Sequence, residues 1–223
     1  MQRVEDTLAV PRQLNGTALL DAAVSYARSR HWEVLPGTWL ETDAGGAPRC
    51  SCASAACPAP GAHPTRADWA TQASGSGSEV RRMWTRQPRS SVLLPTGRTF
   101  DVLEVPESAG FHALARTERM EVALGPVVST PTGRMAFFVL PGAGARVPRL
   151  LAALGWPRGA PDLTVRGEGD WVAAPPTRMG RGGRVQWARR PTDQNRWLPD
   201  VGEVLSPLAY ACGREAAEAR AGR

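Results

Sequence analysis

The stretch FDVLEVPESAG, residues 100–110, carries two acidic side chains on a run with the apolar character of a buried strand. Asp101 and Glu104 are three positions apart, and successive side chains on a strand point to opposite faces. On a regular strand the two carboxylates therefore project in opposite directions, whereas a bulge at Pro106 would turn both to one side. Because carboxylates in such a place usually bind a metal ion, the stretch raises the question of a metal-dependent active centre.

The patterns on either side of this strand predict helices and strands of one α+β domain. We expect helices near residues 14–32, 76–86, 108–120, 146–157 and 201–211, with Leu114 and Met120 facing inwards and a capping box between Ser76 and Glu79. We expect strands near residues 32–41, 90–97 and 100–106, a hairpin over 127–142 with its tip at 131–134, and a strand pair over 163–176 that turns at 167–169. The predicted units are an N-terminal extension at 1–14, the domain at 15–210 with an inserted loop at 43–65, and a C-terminal tail at 211–223.

The charge balance is basic, with 27 basic and 21 acidic residues and a formal net charge of +6. The basic residues are all arginine, and the absence of Lys and Ile indicates the codon bias of a GC-rich genome, so arginine content alone says little about function. A guanidinium group is still always ionised and pairs well with phosphate. Nucleic acid or a nucleotide therefore remains open as a partner, beside an ordinary basic surface.

Membrane and secretory classes find no support in the sequence. No apolar run approaches the roughly 18 residues that a membrane helix requires, and residues 1–13 lack the apolar core of a secretory signal. Four cysteines in a chain of this length also argue against a disulfide scaffold. We therefore expect a cytoplasmic protein without a membrane partner.

The segment CSCASAACPAPGAHP, residues 50–64, gathers Cys50, Cys52, Cys57 and His63. Three thiolates and one imidazole complete a tetrahedral zinc site, and the intervening Pro and Gly let the chain fold around an ion. The alternative is a set of reduced thiols beside an unrelated histidine, since Cys-x-Cys is a less usual opening than Cys-x-x-Cys. We favour a zinc ion, and a structural one, because four protein ligands leave no open position. Cys212 reads as a small core residue.

Five segments occur in the order, and with the gaps, of a known family. They are ALLDAAVSYARSRHWEVLPG, CSCASAACPAPGAHP with DWAT, VRRMWTRQPRSSVLLPTG, VVSTPTGRMAFFV and RGEGDWVAAPPT. Together they resemble the bifunctional DNA primase/polymerase (prim-pol) domain of the archaeo-eukaryotic primase superfamily, in the form common in actinobacteria and their mobile elements, from about residue 19 to residue 205. The resemblance implies a prim-pol-like fold with a mixed or antiparallel sheet flanked by helices. It also implies template-directed nucleotidyl transfer with two divalent ions, Mg²⁺ or Mn²⁺, held by carboxylates.

The family's catalytic ligands are largely missing at the matching positions. LEVP stands where the family has hydrophobic-Asp-hydrophobic-Asp, so Glu104 remains as the first acid and Pro106 replaces the second. Ala136 replaces the hairpin histidine that contacts the nucleotide phosphates, and Thr164 replaces the third acid. The candidate replacements, each displaced from the expected place, are Asp101, Asp162 and Asp170.

Two other segments keep features that suit phosphate. In the hairpin tip TPTGR, backbone N–H groups and a guanidinium suit a nucleotide phosphate, although an ordinary turn with a solvated arginine fits equally. The candidate residues there are Thr130, Thr132, Gly133 and Arg134. Residues 178–190 combine charge with a stacking surface, which suits single-stranded nucleic acid, and the alternative is a flexible basic loop. The candidate residues in this segment are Arg178, Arg181, Arg184, Trp187, Arg189 and Arg190.

Three functional hypotheses follow. The favoured one is a pseudoenzyme, a prim-pol-like domain impaired in catalysis that binds single-stranded or primer-template DNA, or a nucleotide, in replication or a related DNA process. Its rival is an active metal-dependent primase/polymerase with a relocated Mg²⁺ or Mn²⁺ site, and the third is a scaffold that binds protein. The sequence has neither a helicase motif nor a Gly-x-x-x-x-Gly-Lys-Ser/Thr phosphate loop, so a role in replication implies a separate helicase partner.

Overall fold

The computed structural model describes residues 16–156 and 162–221, so the predicted extension at residues 1–14 lies outside the described residues. Its helices are α1 Gly16–Arg30, α2 Gly77–Arg86, α3 Glu107–Arg119, α4 Ala143–Ala153 and α5 Val201–Ala221. The strands are β1 Leu35–Gly37, β2 Leu40–Thr42, β3 Pro48–Cys50, β4 Ser91–Pro95, β5 Asp101–Pro106, β6 Val127–Thr130, β7 Arg134–Val139, β8 Thr164–Arg166, β9 Trp171–Ala173, β10 Arg178–Met179, β11 Gly183–Arg184 and β12 Gln186–Arg189.

The strands form a five-stranded sheet, a three-stranded sheet and two hairpins. The large sheet has the order β12-β6-β7-β5-β8 and the small one the order β1-β4-β9, while β2 pairs with β3 and β10 with β11. Every pairing among the described strands is antiparallel. The predicted α+β class is therefore confirmed, and β5, which carries the opening stretch, lies inside the large sheet between β7 and β8.

The predicted strand pair over residues 163–176 is wrong in its pairing. Both strands form, but β8 pairs with β5 in the large sheet and β9 pairs with β4 in the small sheet. The turn at residues 167–169 therefore carries the chain from one sheet to the other. Sequence alone cannot separate this arrangement from a hairpin, because each strand's hydrogen-bond partner is distant along the chain.

Two apolar cores lie on opposite faces of the large sheet. The first core packs one face of β5 and β7, through Val102 and Phe138, against the small sheet, α1 and α2. The second packs the other face, through Leu103 and Phe137, against α3, α4 and α5. Side chains that alternate along a strand enter different cores, which is the pattern of a sheet covered on both faces.

Three local predictions need comment. Ser76 makes no side-chain cap bond to α2, and its hydroxyl instead lies 3.0 Å from that of Ser78, so the predicted capping box is wrong. Leu114 is buried as predicted, but Met120 is 59% exposed, because α3 ends at Arg119 and the next residues turn away from the core. Helix α5 continues to Ala221, across the boundary predicted at residue 210.

Gly97, in the turn between β4 and β5, provides a test of this packing. Its φ is +100°, and a Cβ built there would lie 2.3 Å from the Cα atom of Glu168. We expect Gly97→Ala to lower the free energy of unfolding by about 3 kcal/mol. The alanine would adopt a strained positive φ, and the backbone at Glu168 would also have to move away from the new Cβ atom. Gly169→Ala is the matched control, since φ there is +84° with nothing within 4 Å, and strain alone costs about 1–2 kcal/mol. Equal losses for both variants in urea unfolding would contradict the packing.

Candidate functional site

Strand β5 places Glu104 in one row with the two positions where the resemblance expects other ligands. The Cα partner of Glu104 is Ala136 on β7 and Thr164 on β8, while Pro106 pairs with Arg134. Directly paired residues of an antiparallel sheet lie on the same face. The register over Asp101–Pro106 is continuous, so the strand has no bulge at Pro106.

Two arginines form ion pairs with the carboxylate of Glu104. The Nε atom of Arg134 donates to Oε1 of Glu104 at 3.3 Å, and the Nε atom of Arg166 donates to Oε2 at 2.5 Å. The side chains of Glu104, Arg134 and Arg166 are 18%, 21% and 33% exposed, so all three lie largely below the surface. Each oxygen that could bind a divalent ion is therefore already engaged with a cation.

The two arginines extend the contact into a longer chain of ion pairs. Arg134 also donates through Nη1 to Asp162 at 2.8 Å, and Arg166 donates through Nη1 to Asp170 at 3.1 Å. Burial by itself would lower the pKa of both guanidinium groups, but their carboxylate partners outweigh it and raise the pKa above its ordinary value. We call this arrangement, Asp162–Arg134–Glu104–Arg166–Asp170, the ion-pair chain. Three carboxylates and two guanidinium groups give it a formal charge of −1.

Asp101 lies on the other face of β5 and takes no part in the ion-pair chain. Its Oδ2 atom accepts a hydrogen bond from the backbone N–H of Ala143, the first residue of α4, at 2.7 Å. The side chain is buried, and its Oδ1 atom has no hydrogen-bond partner among the described residues. A carboxylate in this position accepts a hydrogen bond from a backbone N–H that has no partner within the helix, and its negative charge interacts favourably with the positive end of the helix dipole. The structure therefore uses Asp101 to hold α4.

Sequence reasoning placed Arg134 at the hairpin tip and did not single out Arg166. The signal available was positional, because Arg134 lies two residues from Ala136 and Arg166 lies two residues from Thr164. Residues two apart on a strand share a face, so both arginines face the row of Glu104.

The hairpin tip uses most of its polar groups internally. The hydroxyls of Thr130 and Thr132 lie 2.9 Å apart, and the N–H groups of Gly133 and Arg134 donate to the carbonyl and the hydroxyl of Thr130. The guanidinium of Arg134 turns towards Glu104. What the tip offers to a ligand is therefore its exposed surface at Thr132 and Gly133.

The basic segment at residues 178–190 divides into an exposed part and a packed part. Its exposed arginines are Arg178, Arg181, Arg184 and Arg190, whereas Arg189 is half-buried and pairs with Glu118 at 3.4 Å. Trp187 packs against Phe138 with ring centroids 5.8 Å apart, and its Nε1–H donates to the Tyr26 hydroxyl at 3.1 Å. Burial raises the pKa of Tyr26 to about 12, although the bond from Trp187 acts in the opposite direction. The indole of Trp187 thus serves the core.

The basic hairpin β10–β11 lies directly against the tip of the β6–β7 hairpin. A Cβ at Gly183 would meet the ring of Pro131 at 2.3 Å, and one at Gly180 would meet the methyl group of Thr132 at 3.3 Å. The two segments in which sequence reasoning expected phosphate contacts are therefore neighbours, and they form one surface.

The structure brings together the four predicted metal ligands at the end of β3 and in the loop that follows it. The ligand atoms of Cys50, Cys52, Cys57 and His63 all lie within 4.8 Å of one another. Ligands bound to a tetrahedral zinc ion about 2.3 Å away are separated by roughly 3.5–4 Å, so the cluster needs little adjustment to close around an ion. Within residues 16–156 and 162–221, no other group of three or more His, Cys, Asp or Glu side chains could hold a metal ion.

Neighbouring groups prepare the ligands of this cluster. The Nδ1 atom of His63 faces the Pro64 carbonyl at 2.8 Å, which can only accept, so Nδ1 carries the proton and Nε2 is free to bind an ion. Nε2 lies 3.5 Å from the sulfur of Cys50. Burial raises the pKa of the Cys50 thiol, but hydrogen bonds outweigh it, including those from the N–H groups of Cys52 and Gly61, and bring the pKa to about 6. The loop could therefore hold a metal ion such as zinc.

The loop at residues 50–64, which we call the metal loop, also contacts the basic hairpin and the small sheet. The N–H of Gly180 donates to the Pro60 carbonyl at 2.9 Å, and Nε1 of Trp171 donates to the Ala62 carbonyl at 3.2 Å. These two bonds connect the loop to β9 and to the turn between β10 and β11.

Comparison with known proteins identifies the family of this chain. None of the described helices combines the length and apolar character that crossing a bilayer requires. No curated protein matches the chain at a significant level. The model of the family described as "bifunctional DNA primase/polymerase, N-terminal" matches residues 23–201, well over half of the chain. Because this match covers most of the antiparallel α+β fold, the chain belongs to the Prim-Pol family of bifunctional DNA primase/polymerase N-terminal domains.

Proposed function

We propose that this Prim-Pol domain binds nucleic acid or a nucleotide without polymerising it. The observation that carries the proposal is that both carboxylate oxygens of Glu104 bind guanidinium groups, at 3.3 and 2.5 Å. Two-metal nucleotidyl transfer needs several free oxygen ligands that converge on a pair of divalent ions. Here the remaining acid is engaged, and Pro106, Ala136 and Thr164 offer no carboxylate in the same region.

Electrostatics argues in the same direction. At an effective dielectric constant of about 20, a divalent ion and a guanidinium about 5 Å apart repel each other by roughly 7 kcal/mol. Arg134 and Arg166 therefore each offset the attraction of one carboxylate, so three acids act on an ion about as strongly as one. A single net negative charge suits no pair of divalent ions, since the binding of the first ion already reverses its sign.

Support for nucleic-acid binding comes from the surface formed by the β6–β7 tip and the β10–β11 hairpin. Arg181 and Arg184 are exposed there, beside the exposed Thr132 and Gly133. Guanidinium groups suit phosphate, and the proposed zinc ion orders the loop that holds the turn between β10 and β11. Trp187 is left out of the proposed interface because its ring packs in the core. A cytoplasmic location and a role in a DNA process, with a separate helicase, belong to the same proposal.

Primer extension tests the catalytic half of the proposal. We expect the chain to incorporate no nucleotide above the background of Glu104→Ala, with either Mg²⁺ or Mn²⁺ present, because the metal ligands are missing or engaged. Incorporation that depends on the divalent metal and is lost in Glu104→Ala would contradict the proposal and favour an active enzyme with a relocated metal site.

Salt-dependent retention of single-stranded DNA tests the binding half. Each phosphate contact contributes about −0.7 to the slope of log K against log salt, so we expect the Arg181→Ala/Arg184→Ala variant to flatten this slope by about 1.4. Arg220→Ala, on the exposed last turn of α5, is the matched control and should leave the slope unchanged. Binding that does not vary with salt, or no binding, would contradict the proposal and favour a scaffold that binds protein.

A further inference from the structure

A cavity of about 550 Å³ lies between the start of α1, strand β2 and the start of β4, away from the ion-pair chain. Its walls include Gly16, Trp39, Leu40, Arg89, Ser91 and Arg178, and no residue of the ion-pair chain lines it. The volume falls within the range of small-molecule sites, about 300–1,000 Å³. The cavity therefore has the size of a ligand site and is spatially independent of the cleft at Glu104.

One wall of this cavity is flat and cationic. The guanidinium of Arg89 lies over the indole of Trp39, 5.6 Å from the ring centroid. Glu41 holds the pair in place, because it accepts from Trp39 Nε1 at 3.2 Å and lies 3.9 Å from Arg89. Arg89 remains 62% exposed, so its N–H groups are accessible to a ligand. A stacked guanidinium and indole suit a ligand that has a planar ring with a negatively charged group attached to it.

A second arginine in the lining of the cavity also suits an anion. Ser91 is only 3% exposed, and its hydroxyl has no hydrogen-bond partner among the described residues. That oxygen faces Gly37 on β1, whose Cβ, if built, would lie 2.5 Å from it, so we assign the hydroxyl no contact with a ligand. Arg178, whose Nε also donates to the Gly182 carbonyl at 3.2 Å, adds a second guanidinium to the lining.

We propose that this cavity binds a nucleoside phosphate, either free or at the 5′ end of a strand. A phosphate alone would leave the indole and the apolar side chain of Leu40 without a function. An uncharged aromatic ring would leave the two guanidinium groups without one. The inference goes beyond the proposed function, because it adds a second site that shares with the proposed DNA surface only Arg178.

The test is calorimetric titration of the full, metal-loaded chain with ATP, adenosine and tripolyphosphate. We expect ATP to bind at least tenfold more tightly than either fragment, because only ATP reaches both the flat wall and the cationic groups. Trp39→Ala and Arg89→Ala should each weaken ATP binding roughly tenfold to a hundredfold, the range that base stacking supports. Trp39→Phe should retain affinity within about threefold, since a phenyl ring still stacks. A 5′-phosphorylated oligonucleotide that binds more tightly than its 5′-hydroxyl counterpart and than ATP would identify a strand end as the source.

Variants elsewhere separate this site from the proposed DNA surface. Arg134→Ala and Arg220→Ala change residues that do not line the cavity, and both should leave ATP affinity within about twofold of the parent chain. The inference is overturned if neither ATP nor the 5′-phosphorylated oligonucleotide binds, if the fragments bind as tightly as ATP, or if Arg134→Ala weakens ATP binding as much as Arg89→Ala does. None of these outcomes affects the single-stranded DNA measurement with Arg181 and Arg184, so the two proposals fail separately.

Discussion

Removal of the proposed zinc ion should lower the melting temperature of the domain by about 10 °C. An ion present at a thousand times its dissociation constant stabilises the folded state by about 4 kcal/mol, and 1 kcal/mol corresponds to about 2–4 °C in a domain of this size. The regular structure of the loop around the cluster is limited to the three-residue strand β3 paired with β2 and an isolated bridge between Gly37 and Pro64, so we expect the ion to contribute much of its order. The effect should spread to β9 and to the turn between β10 and β11, which the loop holds through Ala62 and Pro60.

Metal analysis and thermal unfolding of two cysteine variants check this expectation. The parent chain should carry about one zinc ion, Cys50→Ser should lose it, and the melting temperatures of Cys50→Ser and of the chelated parent should agree. Cys212→Ser is the matched control, because Cys212 is also buried but lies in the second core, away from the cluster. A chelated chain that melts at the temperature of the untreated chain would show that the cluster holds no structural metal.

The second large effect is a gain of divalent-metal binding when Arg134 is replaced and aspartates are introduced at positions 106 and 164. We expect Arg134→Gly/Pro106→Asp/Thr164→Asp to bind Mn²⁺ at least about 100-fold more tightly than the parent, because each change makes the cleft more negative by one charge. Pro106 is the N-cap of α3 and makes no side-chain cap bond, so an aspartate is well suited to that position. Thr164 is exposed, so an aspartate there remains solvated. Ala136 is left unchanged because its side chain is buried in the first core.

Two controls make this second prediction interpretable. Arg134→Gly alone should give a smaller gain, because it frees one oxygen of Glu104 and adds no acid. Adding Glu104→Ala to the three substitutions should remove most of the gain, since Glu104 lies at the centre of the row. A triple variant that unfolds cooperatively like the parent, yet binds Mn²⁺ no better, would contradict the view that the ion-pair chain replaces a metal centre.

The parts of this structure that sequence predicted correctly depend on local or ordered patterns. The metal loop follows from the spacing of Cys50, Cys52, Cys57 and His63, and the family follows from five segments in order. The opposite faces of Asp101 and Glu104 follow from the period of a strand, because β5 is regular. In each case the relevant residues lie within about fifteen positions of one another, or the order of the segments carries the information.

The parts that sequence missed depend on strand register and on tertiary packing. Arg134 and Arg166 lie 30 and 62 residues from Glu104, and the register of β7 and β8 against β5 is what brings them to it. Trp187 appeared suited to stacking on nucleic acid because the sequence does not show which face of β12 meets the core. We predicted that β8 and β9 pair with each other because the short segment between them has the length of a hairpin turn. In the structure β8 hydrogen-bonds to β5 in the large sheet and β9 to β4 in the small sheet.

Manganese binding to the unmodified chain tests most directly whether arginine has replaced metal at Glu104. Electron paramagnetic resonance of the zinc-loaded chain, titrated with Mn²⁺ in the presence of a deoxynucleoside triphosphate, counts ions bound by protein and nucleotide together. Free nucleotide and Glu104→Ala serve as references. We predict that the parent chain binds no more Mn²⁺ than Glu104→Ala does. One or two additional ions bound by the parent and lost in Glu104→Ala would contradict the replacement of the metal centre by the ion-pair chain.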